Sequence, residues 1–170
     1  MDILRRYFEL VSARGETYLW YFPDGSASSI QTSTSPEALP TDGWGSSAML
    51  WAMIEGLAGV VDTGRGYDRL SLSPRWAAAG VDRAEVEVGY AASARGVRYQ
   101  YRVRGQAVRF EVEADEAVVT AHVLLPAGVV VREVRRDGRP IPFEPARVES
   151  SVYADFAFTV NGRTCFELLQ

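Results

Sequence analysis

The chain has 170 residues, 47 % of them hydrophobic, and a net charge of −4. That is enough apolar content for a core, and the acidic balance offers nothing that would hold nucleic acid or an anionic lipid surface. All 18 basic residues are arginine and they are dispersed, while the single cysteine, Cys165, excludes a disulfide framework and a cysteine-based metal site. No run reaches the roughly 20 apolar residues that span a bilayer. The start, Met1-Asp2-Ile3-Leu4-Arg5-Arg6, lacks the apolar run of a signal peptide. The expectation is a cytoplasmic protein with no membrane and no nucleic-acid partner.

Residues 2–13 place Ile3, Leu4, Tyr7, Phe8, Leu10 and Val11 on one helical face, with Asp2 to cap it and Arg14-Gly15 to end it. Next comes an aromatic strip, Tyr18-Leu19-Trp20-Tyr21-Phe22, stopped by the turn signal Pro23-Asp24-Gly25. Ser26 to Pro40 is rich in Ser, Thr and Pro and reads as a long loop. A second helix is expected from Ser46 or Ser47 as N-cap through Ala58. It is apolar almost all round, with Glu55 its only charge, so it belongs inside helical packing. Two helices cannot bury it alone; it needs the strand region, more chain or self-association through residues 48–58.

From Tyr67 the period becomes two. Val86, Val88 and Tyr90, then Val97, Tyr99, Tyr101 and Val103, then Val108, Phe110, Val112 and Ala114 line one face, and charged residues line the other. The outer faces read acidic, basic, mostly acidic, which suits three neighbouring antiparallel strands. Val119, Ala121, Val123 and Leu125 form a further inner face, and Val129 to Val134 a further strand. Asp137-Gly138 and Asn161-Gly162 are hairpin signals, the second the stronger, with Thr164 to Leu168 pairing back. The fold class is therefore mainly β: an antiparallel sandwich of about eight strands preceded by two or three α-helices. The change of period near residue 64 divides the chain into residues 1–63 and 64–170.

Chemistry is sparse. The only histidine, His122, sits on a strand with the parity of Thr120, on the outer face, with no second histidine to share a metal. No nucleophile triad can be assembled around it, and Cys165 reads as a half-buried spectator thiol. Gly64-Arg65-Gly66 is a turn rather than a phosphate loop. No cofactor and no metal are expected. Carboxylates remain, since glycoside hydrolysis needs two across the scissile bond. The candidates outside the strands are Glu16, Asp24, Glu37, Asp42 and Glu55. Glu16 and Asp24 flank Trp20 and Tyr21, and aromatic rings are surfaces on which sugars stack. Against that, Asp24 and Asp42 read more readily as turn residues, the aromatics as core and Glu55 as a packed helix residue.

The stretch from Glu16 to Val60 resembles the C-terminal end of an (α/α)6-barrel glycoside hydrolase of the broad trehalase-like, glucosidase-like and rhamnosidase-like group. The resemblance is carried by Phe22-Pro23-Asp24-Gly25, by Asp42-Gly43-Trp44-Gly45-Ser46-Ser47 and by the closing helix with Ile54-Glu55-Gly56-Leu57-Ala58-Gly59-Val60. Leu70-Ser71-Leu72-Ser73-Pro74-Arg75-Trp76 is similar to the linker into the β-sandwich that commonly follows such a barrel, and Val134 to Phe143 to a hairpin within it. The resemblance implies a piece that closes the barrel and braces the sugar cleft, with Glu16 as candidate base and Trp20, Asp24 and Trp44 lining the cleft. The partners it implies are a carbohydrate and the rest of the barrel. With one of the two required carboxylates lacking a source, the chain alone is not expected to hydrolyse anything. A non-catalytic sugar-binding module using the Tyr18–Phe22 strip, or a structural module that assembles with another chain, are the alternatives.

Overall fold

A computed structural model describes residues 2–32, 41, 43–105 and 107–170, which form two compact units, residues 1–53 and 54–170. In the first unit α1 spans Asp2–Arg14 and closes with the Gly15 amide donating to the Val11 carbonyl at 2.8 Å. The aromatic strip makes two isolated bridges, Tyr18 with Thr41 and Tyr21 with Ala27. Pro23-Asp24-Gly25 is the tight turn its composition demands, held by Phe22 N–H to the Ser26 carbonyl and Gly25 N–H to the Phe22 carbonyl, both 2.8 Å. A short 3-10 turn follows at Ile30–Thr32.

The second helix, α2, spans Trp44–Trp51, and Ala52–Leu57 continue as a π-helical turn. Two expectations change here. The helix starts before Ser46, with Gly43 in the capping position and no side-chain cap; the Ser46 hydroxyl instead donates back to the Gly43 carbonyl at 2.9 Å. The α-helical ladder also stops short of Ala58. Within the second unit the Arg75 guanidinium takes the carbonyls of Glu55 at 3.1 Å and Gly56 at 2.7 Å, satisfying groups that a helix end leaves open. Neither α1 nor α2 has a fully buried residue.

The second unit is mainly β, a single nine-stranded mixed sheet that does not close. Its strands are β1 (Val60–Asp62), β2 (Arg69–Leu72), β3 (Arg83–Gly89), β4 (Gly96–Arg104), β5 (Ala107–Leu124), β6 (Glu133–Arg136), β7 (Arg139–Ile141), β8 (Glu144–Val148) and β9 (Ser151–Leu169). The meander read from the sequence is there: β3 pairs β4, and β4 pairs β5, antiparallel. Opposed charges meet on its outer face, as where Arg98 donates to Glu87 at 2.7 Å.

Three strand expectations are corrected. First, the sheet is not wholly antiparallel, because β2 runs parallel to β5, Leu70 beside Val119 and Leu72 beside Ala121. Alternation assigns residues to faces but carries no strand direction. Second, Asn161-Gly162 is not a hairpin. It lies inside β9, opposite β5, and there β5 carries one extra residue between Ala114 and Ala117. That bulge, with Glu116 at φ +44°, turns two apparent strands into one. Third, of the expected 129–134 strand only Glu133 and Val134 pair with β9, in a strand that runs on to Arg136; Val129 and Val131 are buried without a ladder.

The core follows from the long pair. β5 and β9 bend enough that their inner faces meet: Phe156 and Phe166 have ring centroids 5.2 Å apart, and Phe110 stacks on Phe166 at 4.9 Å. Ten residues of straight strand would separate Phe156 from Phe166 by about 33 Å. Around the rings Leu70, Leu72, Val97, Val112, Val119, Ala121 and Leu168 are fully enclosed. Tyr99 is buried with its hydroxyl accepting from Trp76 Nε1 and donating to the Ala58 carbonyl, both at 2.7 Å, and burial pushes its pKa far up. Burial likewise pushes the Tyr101 phenol up to about 12.

The β6–β7 hairpin bears out its Asp137-Gly138 signal, with φ of +49° and +79° at the two turn positions. The Asp137 carboxylate accepts the Cys165 amide and the Thr164 hydroxyl, each at 2.8 Å. Those two bonds hold its pKa below the ordinary 3.8. A carboxylate with a lowered folded-state pKa contributes stability that is complete above its unfolded pKa and is lost as pH falls through the folded value. Asp137→Asn, which tolerates the left-handed turn, is therefore expected to flatten the acid limb of the stability profile while changing neutral-pH stability modestly. Urea midpoints measured between pH 2.5 and 6 check it; an acid limb identical to the parent's would remove Asp137 from the account.

Candidate functional site

Glu16 is exposed and lines a shallow groove with Val11, Thr17, Thr41, Gly43 and Ser46. The structure thus brings Glu16 beside Gly43 and Ser46 at the start of α2, next to Trp44. Trp44 itself is 80 % exposed at the start of α2. Trp20 and Asp24 do not line that groove. Trp20 is half-buried, and its carbonyl accepts the Ser28 amide at 3.0 Å. Asp24 accepts the Ser26 amide at 2.9 Å and the Ser26 hydroxyl at 2.6 Å, which hold its carboxyl below the usual range. That is the geometry of a turn aspartate. Asp42 and Glu37 lie outside the described residues.

The strip's aromatics are partly used within the unit. Tyr21 meets Tyr7 and Tyr18 edge-on, each with centroids 5.9 Å apart, which is the favoured packing of aromatic pairs. Among the described residues, then, the groove beside Glu16 presents one carboxylate. A hydrolytic pair would need a second across the bond.

His122 takes the outer-face position its parity gave it, half-buried. Its Nδ1 lies 2.6 Å from Asp155 Oδ1 and its ring stacks on Tyr153 at 3.9 Å, so it is held between cross-strand neighbours. Among the described residues no three His, Cys, Asp or Glu side chains are placed to hold a metal ion. Cys165 is half-buried, and burial pushes its thiol up against the opposing pull of Arg109, which suits a spectator.

One constellation escaped the sequence. At the end of the β3–β4 hairpin Tyr90 stacks on Tyr67, centroids 5.2 Å apart and planes at 27°. Tyr67 is buried and Tyr90 is 52 % exposed. Asp62 interacts with both residues. Burial would raise its pKa, but the amides of Gly64, Tyr67 and Gly66 and the Tyr90 hydroxyl outweigh that and leave it lowered. The signal was present as an aromatic residue closing a strand beside a small-residue turn, Tyr90-Ala91-Ala92-Ser93, but nothing local pairs it with Tyr67.

No protein-family model matches the chain. No curated protein matches it either. Solved structures do. The α-L-rhamnosidase from Dictyoglumus thermophilum superposes with a TM-score of 0.53 at 15 % identity over 82 % of this chain. An α-L-rhamnosidase from Streptomyces avermitilis, complexed with L-rhamnose, gives 0.46 at 18 % identity over 86 % of this chain. A GH127 β-L-arabinofuranosidase from Geobacillus stearothermophilus gives 0.40 at 16 % identity over 76 %. The structural neighbours are thus glycoside hydrolases, and the first shares this chain's fold. The chain spans only 15 %, 12 % and 20 % of the length of those three proteins. No helix among the described residues is long and apolar enough to cross a membrane.

Proposed function

We propose that the chain is the C-terminal part of a carbohydrate-active, glycoside hydrolase-like protein. The helical residues close an (α/α)6 helical barrel, and the β unit, whose sheet begins at Val60, braces its sugar cleft. Glu16 is the candidate base, and Trp20, Asp24 and Trp44 line the cleft. The observation that carries the reading is the shared fold with the Dictyoglumus rhamnosidase over 82 % of this chain against 15 % of that protein. The surface of α1 and α2 supports it. Ile3, Phe8, Trp44, Leu50 and Trp51 are all more than half exposed. Apolar surface of that kind marks a contact with further structure. On its own the chain has no hydrolytic activity.

The reading frame upstream of residue 1 tests the barrel. Continuation into paired amphipathic helices supports it, and an immediate stop codon rejects it. Within the longer protein, Glu16→Gln is expected to abolish turnover with folding intact; normal turnover would remove Glu16 as the base. The same exposed Trp44, Leu50 and Trp51 favour, as the second reading, an assembly module whose α2 face docks on another chain or on its own copy. Light scattering decides that point, since a concentration-independent monomer rejects self-association.

A further inference from the structure

The Tyr67–Tyr90 stack borders an open groove of about 560 Å³ at the β3–β4 hairpin, lined by Glu87, Tyr90, Arg95, Arg98, Glu113 and Asp115. We infer that this groove is a carbohydrate-binding site, separate from the Glu16 groove, that takes a neutral sugar ring against the exposed face of Tyr90. The inference rests on the carbohydrate reading above for the ligand class and on this groove's own geometry for the place.

Three features carry it. The platform is preorganised. Tyr90 has one face against Tyr67, so ordering it on binding loses little side-chain freedom. Tyr67 is held at φ +64°, which a bulky residue rarely adopts. The loop that enforces it is tied down by Asp62 Oδ1 accepting the Gly64 amide at 3.0 Å and Asp68 Oδ1 accepting the Arg65 amide at 2.7 Å. Backbone strain sustained by surrounding bonds clusters at ligand clamps.

The groove's charges are also matched. Arg98 is paired with Glu87 at 2.7 Å and Arg163 with Glu113 at 3.1 Å, so an anion meets carboxylates and a cation meets guanidinium groups. A neutral polyol uses both: its hydroxyls donate to Glu87, Glu113 and Asp115 and accept from Arg95 and Arg98. The third feature is one aromatic plate beside five charged side chains, each able to donate or accept a hydrogen bond. A sugar ring fits it with its C–H face on the plate and its hydroxyls outward.

The test is amide-resolved NMR of the intact 170-residue chain titrated with L-rhamnose, L-arabinose or D-glucose, with acyclic sorbitol as control. At least one sugar is expected to shift the amides of residues 88–97 and 113–115, saturating at roughly 1 mM, the range of a single weakly held ring. Tyr90→Ala is expected to weaken binding about tenfold, as truncating a central aromatic anchor does. Arg95→Ala leaves the Tyr67–Tyr90 stack in place and is also expected to weaken it. Unperturbed amide shifts elsewhere show that each variant folds. Shifts that cluster near Trp20 and survive Tyr90→Ala overturn the groove and leave the carbohydrate reading standing. No saturable shift with any sugar, or equal shifts with sorbitol, overturns the site without touching the barrel-closing role, which the upstream sequence tests.

Discussion

Phe166→Ala is expected to lower the stability of the β unit by about 3–5 kcal/mol. Phe166 is fully enclosed, and its ring lies 4.4 Å from Phe158, 4.9 Å from Phe110 and 5.2 Å from Phe156 by centroids. Those partners come from both halves of the bent β5–β9 pair, so the cavity left by truncation cannot collapse from one side without unbending the sheet. The Arg136 guanidinium, 6.0 Å above the same ring, would lose a contact as well. Phe166→Leu keeps most of the volume and is expected to cost about 1 kcal/mol. Urea denaturation followed by near-ultraviolet circular dichroism checks both. A midpoint for the alanine variant within experimental error of the parent would mean that the cluster does not hold the two halves together.

Gly59→Ala is expected to destabilise the same unit by about 3 kcal/mol or more, from a single added methyl. Gly59 sits at φ +69°, where an L side chain costs roughly 1–2 kcal/mol. Space adds to this. A Cβ there would run into the backbone carbonyl of Ser73, whose own amide donates to the Gly59 carbonyl at 2.7 Å. Relief requires moving Ser73, whose hydroxyl holds the His122 carbonyl at 2.8 Å, so the disturbance reaches β5. Gly128→Ala is the control for backbone strain without crowding: it also has positive φ, at +80°, with open space around it. Thermal melts should show Gly59→Ala losing clearly more than Gly128→Ala. Equal losses would reduce the Gly59 effect to backbone strain alone.

Much of the β unit was legible residue by residue. The inner faces of β4 and β5 are the alternating residues Val97, Tyr99, Tyr101, Val108, Phe110 and Val112, because a pleated strand exposes its two faces with a period of two whatever its partner. The Asp137-Gly138 turn was legible for the same kind of reason, since its left-handed backbone is a local demand on two residues. The continuity of β5 was not. The buried set shifts from even to odd numbers between Ala114 and Ala117, which reads equally as a chain break or as a bulge. Asn161-Gly162 reads as a hairpin for want of any sign that β5 lies alongside it.

The candidate sites divide along the same line. Glu16 shares a groove with Gly43 and Ser46, far from it in sequence, and Asp24 proves to be satisfied by Ser26 two residues on, a contact its turn composition already implied. Tyr67 and Tyr90 lie 23 positions apart, and their stacking depends on the 62–68 loop holding Tyr67 in a left-handed conformation. What the sequence by itself determined was the period change from helix to strand, the faces of the strands and the local turns, since each is set by interactions within a few residues. Only the tertiary structure decided the parallel β2–β5 pair, the bend that brings Phe110 and Phe156 onto Phe166, and the aromatic pair beside the β3–β4 groove. Those depend on which distant segments bury their faces together, a choice that hydrophobic burial makes without regard to sequence order.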